Sequence, residues 1–149
     1  HWSCIEDDDE EQWEALQQRY PDADLGDSSE FKKNLRYSDA KDWHVIATAR
    51  LAQQRYPDQP VGILTRNLKD FNRSELRRLG ISLWEPDQLL GSYMAAHPDL
   101  MQRLLDGLPA LMLTPEAQAL DTHTLLKRDR LFSVGQAYLR RQKMDEAHS

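Results

Sequence analysis

Two short segments of the chain carry oxygen-bearing side chains at spacings that suit chemistry. Asp39 and Asp42 lie three residues apart at an expected helix start, so their carboxylates can share one face. The loop TRNLKDF, residues 65–71, presents Asn67 and Asp70 directly after an apolar run. Oxygen ligands suit Mg²⁺ or Mn²⁺, ions that activate water and stabilise charge on a phosphoryl group. The combination predicts a metal site for phosphoryl chemistry.

Cationic side chains surround the second segment. They are Arg66, Lys69, Arg73, Arg77 and Arg78. Such side chains pair with phosphates, and this contact fixes the register of a nucleic acid without reading its sequence. Ligands for an ion beside cations for a polymer are what a metal-dependent nuclease needs. The structural alternative is a solvated helix face, which is common.

Each acidic segment also has a structural alternative. Asp39 suits a helix N-cap and Asp42 suits the first helical turn, where the helix dipole favours acids. Asn67 and Asp70 suit a turn, in which both residue types are frequent. Taken alone, either segment favours the structural interpretation, and only their combination favours a metal site.

Length and composition narrow the class of protein. The 149 residues and 17.4 kDa fit one domain, or one small domain with an appendage. The single cysteine, Cys4, excludes an internal disulfide framework and a multi-cysteine zinc site, so a reducing, cytoplasmic setting is expected. No apolar run approaches the roughly 18 residues of a membrane span, and we expect no membrane partner. Residues 1–10 have neither the basic start nor the apolar stretch of a signal peptide.

Charge is unevenly distributed along the chain. Residues 1–30 contain eleven acids and one base, with six consecutive acids at 6–11, whereas residues 31–149 carry a net charge of +4. A mildly basic body permits a nucleic-acid partner that the overall charge of −6 would argue against. The alternative is a solvated acidic segment on an ordinary protein.

The elements that must position these residues alternate between helix and strand. The expected order is helix, strand, helix, strand, helix, over residues 39–56, 61–65, 73–79, 81–84 and 86–96. This order predicts an α/β fold with a parallel sheet, whose sites lie at the carboxyl ends of the strands. The loop that follows residue 65 is therefore where chemistry is expected.

The remaining sequence completes a two-part organisation. Residues 98–149 are rich in Leu and Met at helical spacing and predict a helical carboxyl-terminal extension. Residues 1–97 then form the α/β core. Because a sheet of two strands is marginal alone, either further strands are hidden in residues 1–40, or the core is incomplete at its amino-terminal end.

Four segments resemble the PIN-domain nucleases, most closely a bacterial toxin-like branch with a helical carboxyl-terminal extension. They are DAKDWHVIA (39–47), ILTRNLKDF (63–71), LGI (79–81) and EPDQLL (85–90). Their order and spacing agree with the family, and residues 98–149 resemble the tail of that branch. The resemblance implies a parallel sheet flanked by helices, and cleavage of RNA that depends on Mg²⁺ or Mn²⁺. It also implies the toxin half of a toxin–antitoxin pair.

The resemblance assigns roles to particular residues. The acid of the family's third motif falls on Asp42, with Asp39 as a helper. The fourth motif falls on Thr65, Asn67 and Asp70. Thr65 would orient a ligand or water, and Asn67 stands where many members carry an acid. The implied catalytic residues are Asp42, Asp70, Asn67 and Thr65.

The chain departs from the family at its start. The family opens with a strand that ends in an Asp, followed by a helix that bears a Glu. The segment HWS (1–3) resembles the residues before that Glu, which makes Glu6 the fourth implied metal ligand beside Asp42, Asp70 and Asp39. The opening Asp has no counterpart. We expect a shortened or naturally split form, whose exposed sheet edge would favour pairing with a second copy.

The sequence thus predicts a metal-dependent PIN-type endoribonuclease, either a toxin or the carboxyl-terminal portion of one. Its expected partners are an RNA substrate, an antitoxin protein and a second copy of the chain. The alternative is a catalytically inactive PIN-like module that binds a protein partner or nucleic acid. A third option, a helical protein that contacts DNA, depends only on the basic body.

Overall fold

A computed structural model of the chain describes residues 14–149. The chain divides into two compact units. The first contains the described residues up to Ile63 together with Lys69–Ser82, and the second contains Leu64–Leu68 and Leu83–Ser149. The predicted division into residues 1–97 and 98–149 stays a prediction.

The fold is α/β, as predicted, with helices flanking a small parallel sheet. The two strands of this sheet are β1 (Val61–Leu64) and β2 (Ile81–Trp84). They are joined through a helix, which is the connection that parallel strands require. Ile63 and Ile81 are the buried side chains of the two strands. The backbone N–H of Thr65 donates to Trp84 O at 2.9 Å just beyond β1.

Helices make up most of the described chain. They are α1 (14–19), α2 (Trp43–Arg55), α3 (Arg73–Arg78), α4 (Pro86–Ala96), α5 (Pro98–Asp106), α6 (Pro115–Gln118), α7 (Thr122–Arg128) and α8 (Phe132–Ala147). Short 3-10 helices cover Pro21–Ala23, Ser29–Lys32, Ala40–Asp42, Leu68–Asp70 and Pro109–Leu111. Three of these α-helices, α4, α5 and α6, open on a proline, because proline has no N–H to leave unpaired at a helix start.

The first unit is built around α2. Ile46 and Ala47 on this helix are fully buried, and Leu76 of α3 is 1% exposed. The helix expected over 39–56 begins instead with the 3-10 turn Ala40–Asp42, and α2 follows from Trp43. Gly80 ends α3 with a φ of +71°, a left-handed conformation that glycine adopts without steric cost.

The second unit has an apolar core contributed by α4, α5, α7 and α8. Its buried members are Met94, Met101, Leu105, Leu126, Val134 and Tyr138. The helical extension predicted over 98–149 is divided into several helices, and the chain leaves the helix between α7 and α8. Arg130 there has a φ of +59°. No helix within residues 14–149 combines the length and the apolar character needed to cross a membrane.

Candidate functional site

Asp39, Asp42 and Asp70, here called the acid cluster, are in the first unit with Lys41 among them. The Lys41 Nζ atom lies 2.7 Å from Asp70 Oδ2 and 3.7 Å from Asp39 Oδ2. The backbone also joins the two segments, because the N–H of Asp39 donates to Asp70 O at 2.8 Å. The structure therefore brings the segment at 39–42 next to the end of the loop at 68–70.

The acid cluster acts electrostatically on one ammonium group. The hydrogen bond to Asp70 raises the pKa of Lys41 above its ordinary value, and the negative charge of Asp70 adds to this. The charges of Asp39 and Asp42 raise the same pKa further. Asp70 is the more enclosed partner of the ion pair, with a side chain only 12% exposed. All three predicted acids thus favour a positive charge at the position of Lys41.

Asp39 has the structural role that its position predicts. Its Oδ1 accepts the backbone N–H of Lys41 at 3.1 Å, so it caps the 3-10 turn. Capping uses one oxygen, and the other faces Lys41 Nζ. Asp39 therefore both caps the 3-10 turn and places a negative charge near Lys41.

Asp42 differs from Asp39, because it is an N-cap residue that caps nothing. It immediately precedes α2, yet its side chain accepts no capping hydrogen bond. Its Oδ2 atom is buried and has no hydrogen-bond partner among residues 14–149. A buried carboxylate oxygen without a donor is costly, so this atom favours a proton donor or a cation beside it.

Glu75 holds the segment that precedes the acid cluster. This α3 residue is 1% exposed and accepts the backbone N–H groups of Arg36, Tyr37 and Ser38, at 2.9, 3.3 and 2.9 Å. It also accepts the Ser38 hydroxyl at 2.9 Å. Burial alone would raise the pKa of Glu75, but these hydrogen bonds hold it below its ordinary value of 4.5. Residues 36–38 are therefore fixed by a charge on a distant helix.

Ser38 connects α2 and α3 at this point. Its Oγ accepts the N–H of Asn72, and its carbonyl oxygen accepts the indole N–H of Trp43 at 3.0 Å. Asn72 in turn caps α3, since its side chain accepts the N–H of Glu75. Ser38, the residue before Asp39, is therefore held by Trp43 of α2, by Glu75 of α3 and by Asn72 at the N-cap of α3.

Thr65 and Asn67 belong to the second unit. The Thr65 hydroxyl accepts the backbone N–H of Asn67 at 3.1 Å. This bond is a local turn of the kind that the structural alternative predicts. The assignment of both residues to the catalytic set stays a prediction.

The cationic side chains that are predicted to bind RNA are all exposed. Arg66 belongs to the second unit, and the other four, Lys69, Arg73, Arg77 and Arg78, belong to the first. The Arg78 guanidinium lies 5.9 Å from the centroid of the Tyr37 ring. The sequence indicated neither Tyr37 nor this contact.

Lys41 and Glu75 are the functional positions that sequence reasoning missed. Lys41 stands between Asp39 and Asp42 in the chain, and that placement was the available signal. Glu75 follows Asn72 by three residues, a spacing typical of a capping box, in which the acid bonds locally. Here the acid bonds residues more than thirty positions away instead, which no local pattern indicates.

The donor chemistry of the acid cluster fits a hard divalent cation. Its donors are all oxygen, and Asp42 Oδ2 is a buried ligand atom without a partner among the described residues. The same range, 14–149, contains no group of three His, Cys, Asp or Glu side chains arranged to hold a metal ion. Glu6, the fourth predicted ligand, lies outside the described residues. Asp42, Asp70 and Asp39 stay the predicted ligands, although the described residues do not arrange them as a three-ligand metal site.

Comparison with family models, with curated proteins and with solved structures gives no match for this chain.

Proposed function

We propose that this chain is a PIN-type endoribonuclease dependent on Mg²⁺ or Mn²⁺. In this proposal it acts in the cytoplasm as the toxin of a toxin–antitoxin pair, or as the carboxyl-terminal portion of that toxin. The observation that carries the proposal is that Asp39 and Asp70, which come from two separate segments, both approach the ammonium group of Lys41. Its partners would be an RNA substrate, an antitoxin protein and a second copy of the chain.

The ion would supply, when bound, a water of lowered pKa and positive charge on the scissile phosphate. Asp42 contributes the buried oxygen that has no donor among the described residues, and Asp70 contributes a second carboxylate. Asp39 has the role of helper that the resemblance implies. For Thr65 and Asn67, which belong to the second unit, the resemblance implies a part in orienting water. Because Lys41 is paired with Asp70, the ammonium must leave that carboxylate before both of its oxygens can serve another cation.

The exposed cations have a separate role in this proposal. Lys69, Arg73, Arg77 and Arg78 in the first unit, with Arg66 in the second, carry the positive charge that a phosphate backbone requires. Their contribution would be to hold RNA without reading its sequence. Binding through them falls steeply as salt concentration rises, since counterions are released on contact.

The direct test is cleavage of a labelled single-stranded RNA in Mn²⁺, with chelator as the comparison. Asp42→Asn and Asp70→Asn each remove one charge and should lower the cleavage rate by at least about 100-fold. Asp58→Asn, an exposed acid outside the cluster, is the matched control and should keep the wild-type rate. Cleavage that persists in chelator, or that survives Asp42→Asn, would contradict the proposal.

One observation favours the second candidate, a catalytically inactive PIN-like module that binds protein or nucleic acid. The Lys41 ammonium, 2.7 Å from Asp70, already supplies the positive charge that the acids favour. RNA binding without cleavage in Mg²⁺, in Mn²⁺ and in chelator alike would support this module. Metal-dependent cleavage would exclude it.

A further inference from the structure

The first unit contains a cavity with an excess of positive charge. Its volume is about 360 Å³, and its lining includes Lys33, Arg36, Arg50 and Arg78 together with the ring of Tyr37. A second cavity of about 340 Å³ shares Tyr37 and Arg78 with the first. Four cationic side chains around one cavity make it a site for an anion.

The charge in the cavity is not balanced by the described residues around it. Glu75 is the one carboxylate among the lining residues, and its oxygens accept backbone N–H groups and the Ser38 hydroxyl. None of the four cations forms an ion pair with a carboxylate in the described part of the chain. Phosphate oxygens would supply the missing negative charge, and arginine is well suited to bind them.

The aromatic ring of Tyr37 gives the cavity a second kind of recognition. The side chain of Tyr37 is 64% exposed, so its ring is accessible from solvent. The Arg78 guanidinium lies near the ring, 5.9 Å from its centroid. An exposed aromatic ring among cations is the pattern on which a nucleobase stacks while its phosphate is neutralised.

One cation of the lining, Arg50, is held in place by hydrogen bonds before any ligand arrives. Arg50 Nη1 donates to Phe31 O at 2.8 Å and to Lys33 O at 3.1 Å. Both bonds use Nη1, so the Nε and Nη2 donors of the same guanidinium take no part in them. Asn34 has a φ of +69°, a sparsely populated conformation that the surrounding bonds maintain. A site built in advance loses less conformational entropy on binding.

We propose that this cavity binds a nucleotide, with the phosphate among the four cations and the base on Tyr37. The nucleotide is either free or one residue of an RNA strand, and the chemistry of recognition is the same. Binding here requires neither metal nor cleavage, so the proposal goes beyond the nuclease activity. Tyr37 precedes Asp39 by two residues, and their Cα atoms are therefore within about 8 Å of each other. A strand held in the cavity would lie beside the acid cluster.

The experiment is a binding titration of the whole chain in chelator, which separates binding from metal-dependent cleavage. The probes are adenosine monophosphate, a fluorescent six-residue oligo(A) and inorganic phosphate. Tyr37→Ala should weaken binding of the nucleotide probes by about 5- to 100-fold, because stacking is lost. Tyr37→Phe keeps the ring and should bind as the wild type does.

The phosphate contact is tested by Arg36→Gln, with Arg103→Gln as the matched control. Arg36 bonds Glu75 through its backbone N–H, so the variant keeps that bond and the fold. We expect at least about tenfold weaker nucleotide binding for Arg36→Gln, the size of losing one charge-assisted hydrogen bond. Arg103, an exposed residue of α5 in the second unit, should leave affinity unchanged when substituted.

The outcomes separate the source of the ligand from the existence of the site. Binding of the monophosphate identifies a free nucleotide, and binding of the oligonucleotide alone identifies a strand. Either result supports the proposal if Tyr37→Ala and Arg36→Gln both weaken it. Absence of binding by both nucleotide probes overturns it, as does full affinity in either variant. Inorganic phosphate that binds as tightly as the nucleotides also overturns it, because the ring would then contribute nothing.

Discussion

Each compact unit contains one buried carboxylate that accepts backbone N–H groups from a remote segment. In the first unit Glu75, 1% exposed, holds residues 36–38. In the second unit Asp87, 9% exposed, accepts the N–H groups of Ser133 and Val134 at 2.9 and 3.0 Å. The chemistry is the same in both units, but the segments that are held differ.

Asp87 completes a regular element. Ser133 and Val134 lie in the first turn of α8, where backbone donors have no partner within the helix. The N-cap position of this helix is Leu131, which has no capping side chain, so Asp87 acts as the cap from α4. The apolar core around Val134 and Tyr138 supports the same helix independently.

Glu75 fixes an irregular segment that has no repeating hydrogen bonds of its own. Arg36 and Tyr37 line the cavity, and Ser38 directly precedes Asp39, so both candidate sites depend on this anchor. In the second unit, the buried charge of Asp87 adds to a stabilisation that apolar packing already supplies. In the first unit the buried charge determines where the candidate functional residues lie.

Among the changes that test this difference between the two units, Glu75→Gln should have the largest effect on stability. The amide offers one acceptor oxygen to four donors and adds donors of its own, so we expect a loss of about 3 kcal/mol in the free energy of unfolding. Urea denaturation of the whole chain measures the loss. Hydrogen exchange should quicken most at the amides of 36–38. A stability within 1 kcal/mol of the wild type would contradict the role of Glu75 as the anchor.

Low pH should lower the stability of the first unit, because Glu75 becomes protonated. The pKa of Glu75 is below 4.5 in the folded chain, so its contribution to stability is complete above 4.5 and is lost as pH falls through the folded value. The slope from this one group is at most about 1.4 kcal/mol per pH unit. Denaturation at pH 3 to 6 should show a shallower slope for Glu75→Gln than for the wild type. Equal slopes would refute the assignment.

Of these three tests, Asp87→Asn should have the smallest effect on the free energy of unfolding. The amide keeps one acceptor oxygen for the start of α8, and the apolar core remains, so we expect a loss of about 1 kcal/mol. Burial alone would raise the pKa of Asp87, but hydrogen bonds from Val134 and Ser133 hold it below 3.8, so its contribution to stability is complete above 3.8 and is lost as pH falls through the folded value. A loss as large as that of Glu75→Gln would remove the distinction between the two units.

The regular elements were predictable because they depend on local periodicity. The strand at 81–84 and the helix at 86–96 are confirmed with the predicted bounds. The break between α7 and α8 was missed, because Arg130 adopts a left-handed conformation that its residue type does not announce.

The candidate site was predictable only in part. Asp39 and Asp70 could be placed together from the order of helix, strand and loop, and the structure joins them. The ion pair of Lys41 and the bonds of Glu75 connect residues far apart in sequence through polar contacts. Such contacts follow no hydrophobic period, and a sequence gives no direct sign of them. The roles implied by the resemblance, including those of Thr65 and Asn67, stay predictions.

The hydrogen bonds of Glu75 join residues that are far apart in sequence, and this affects the order in which the chain folds. Its bonds to Arg36 and Ser38 span 39 and 37 residues, so forming them requires closure of a long loop. During synthesis from the amino terminus, Asp39 leaves the ribosome well before Glu75 does. The segment at 36–39 can take its final position only once the strand at 61–64 and the helix after it have emerged.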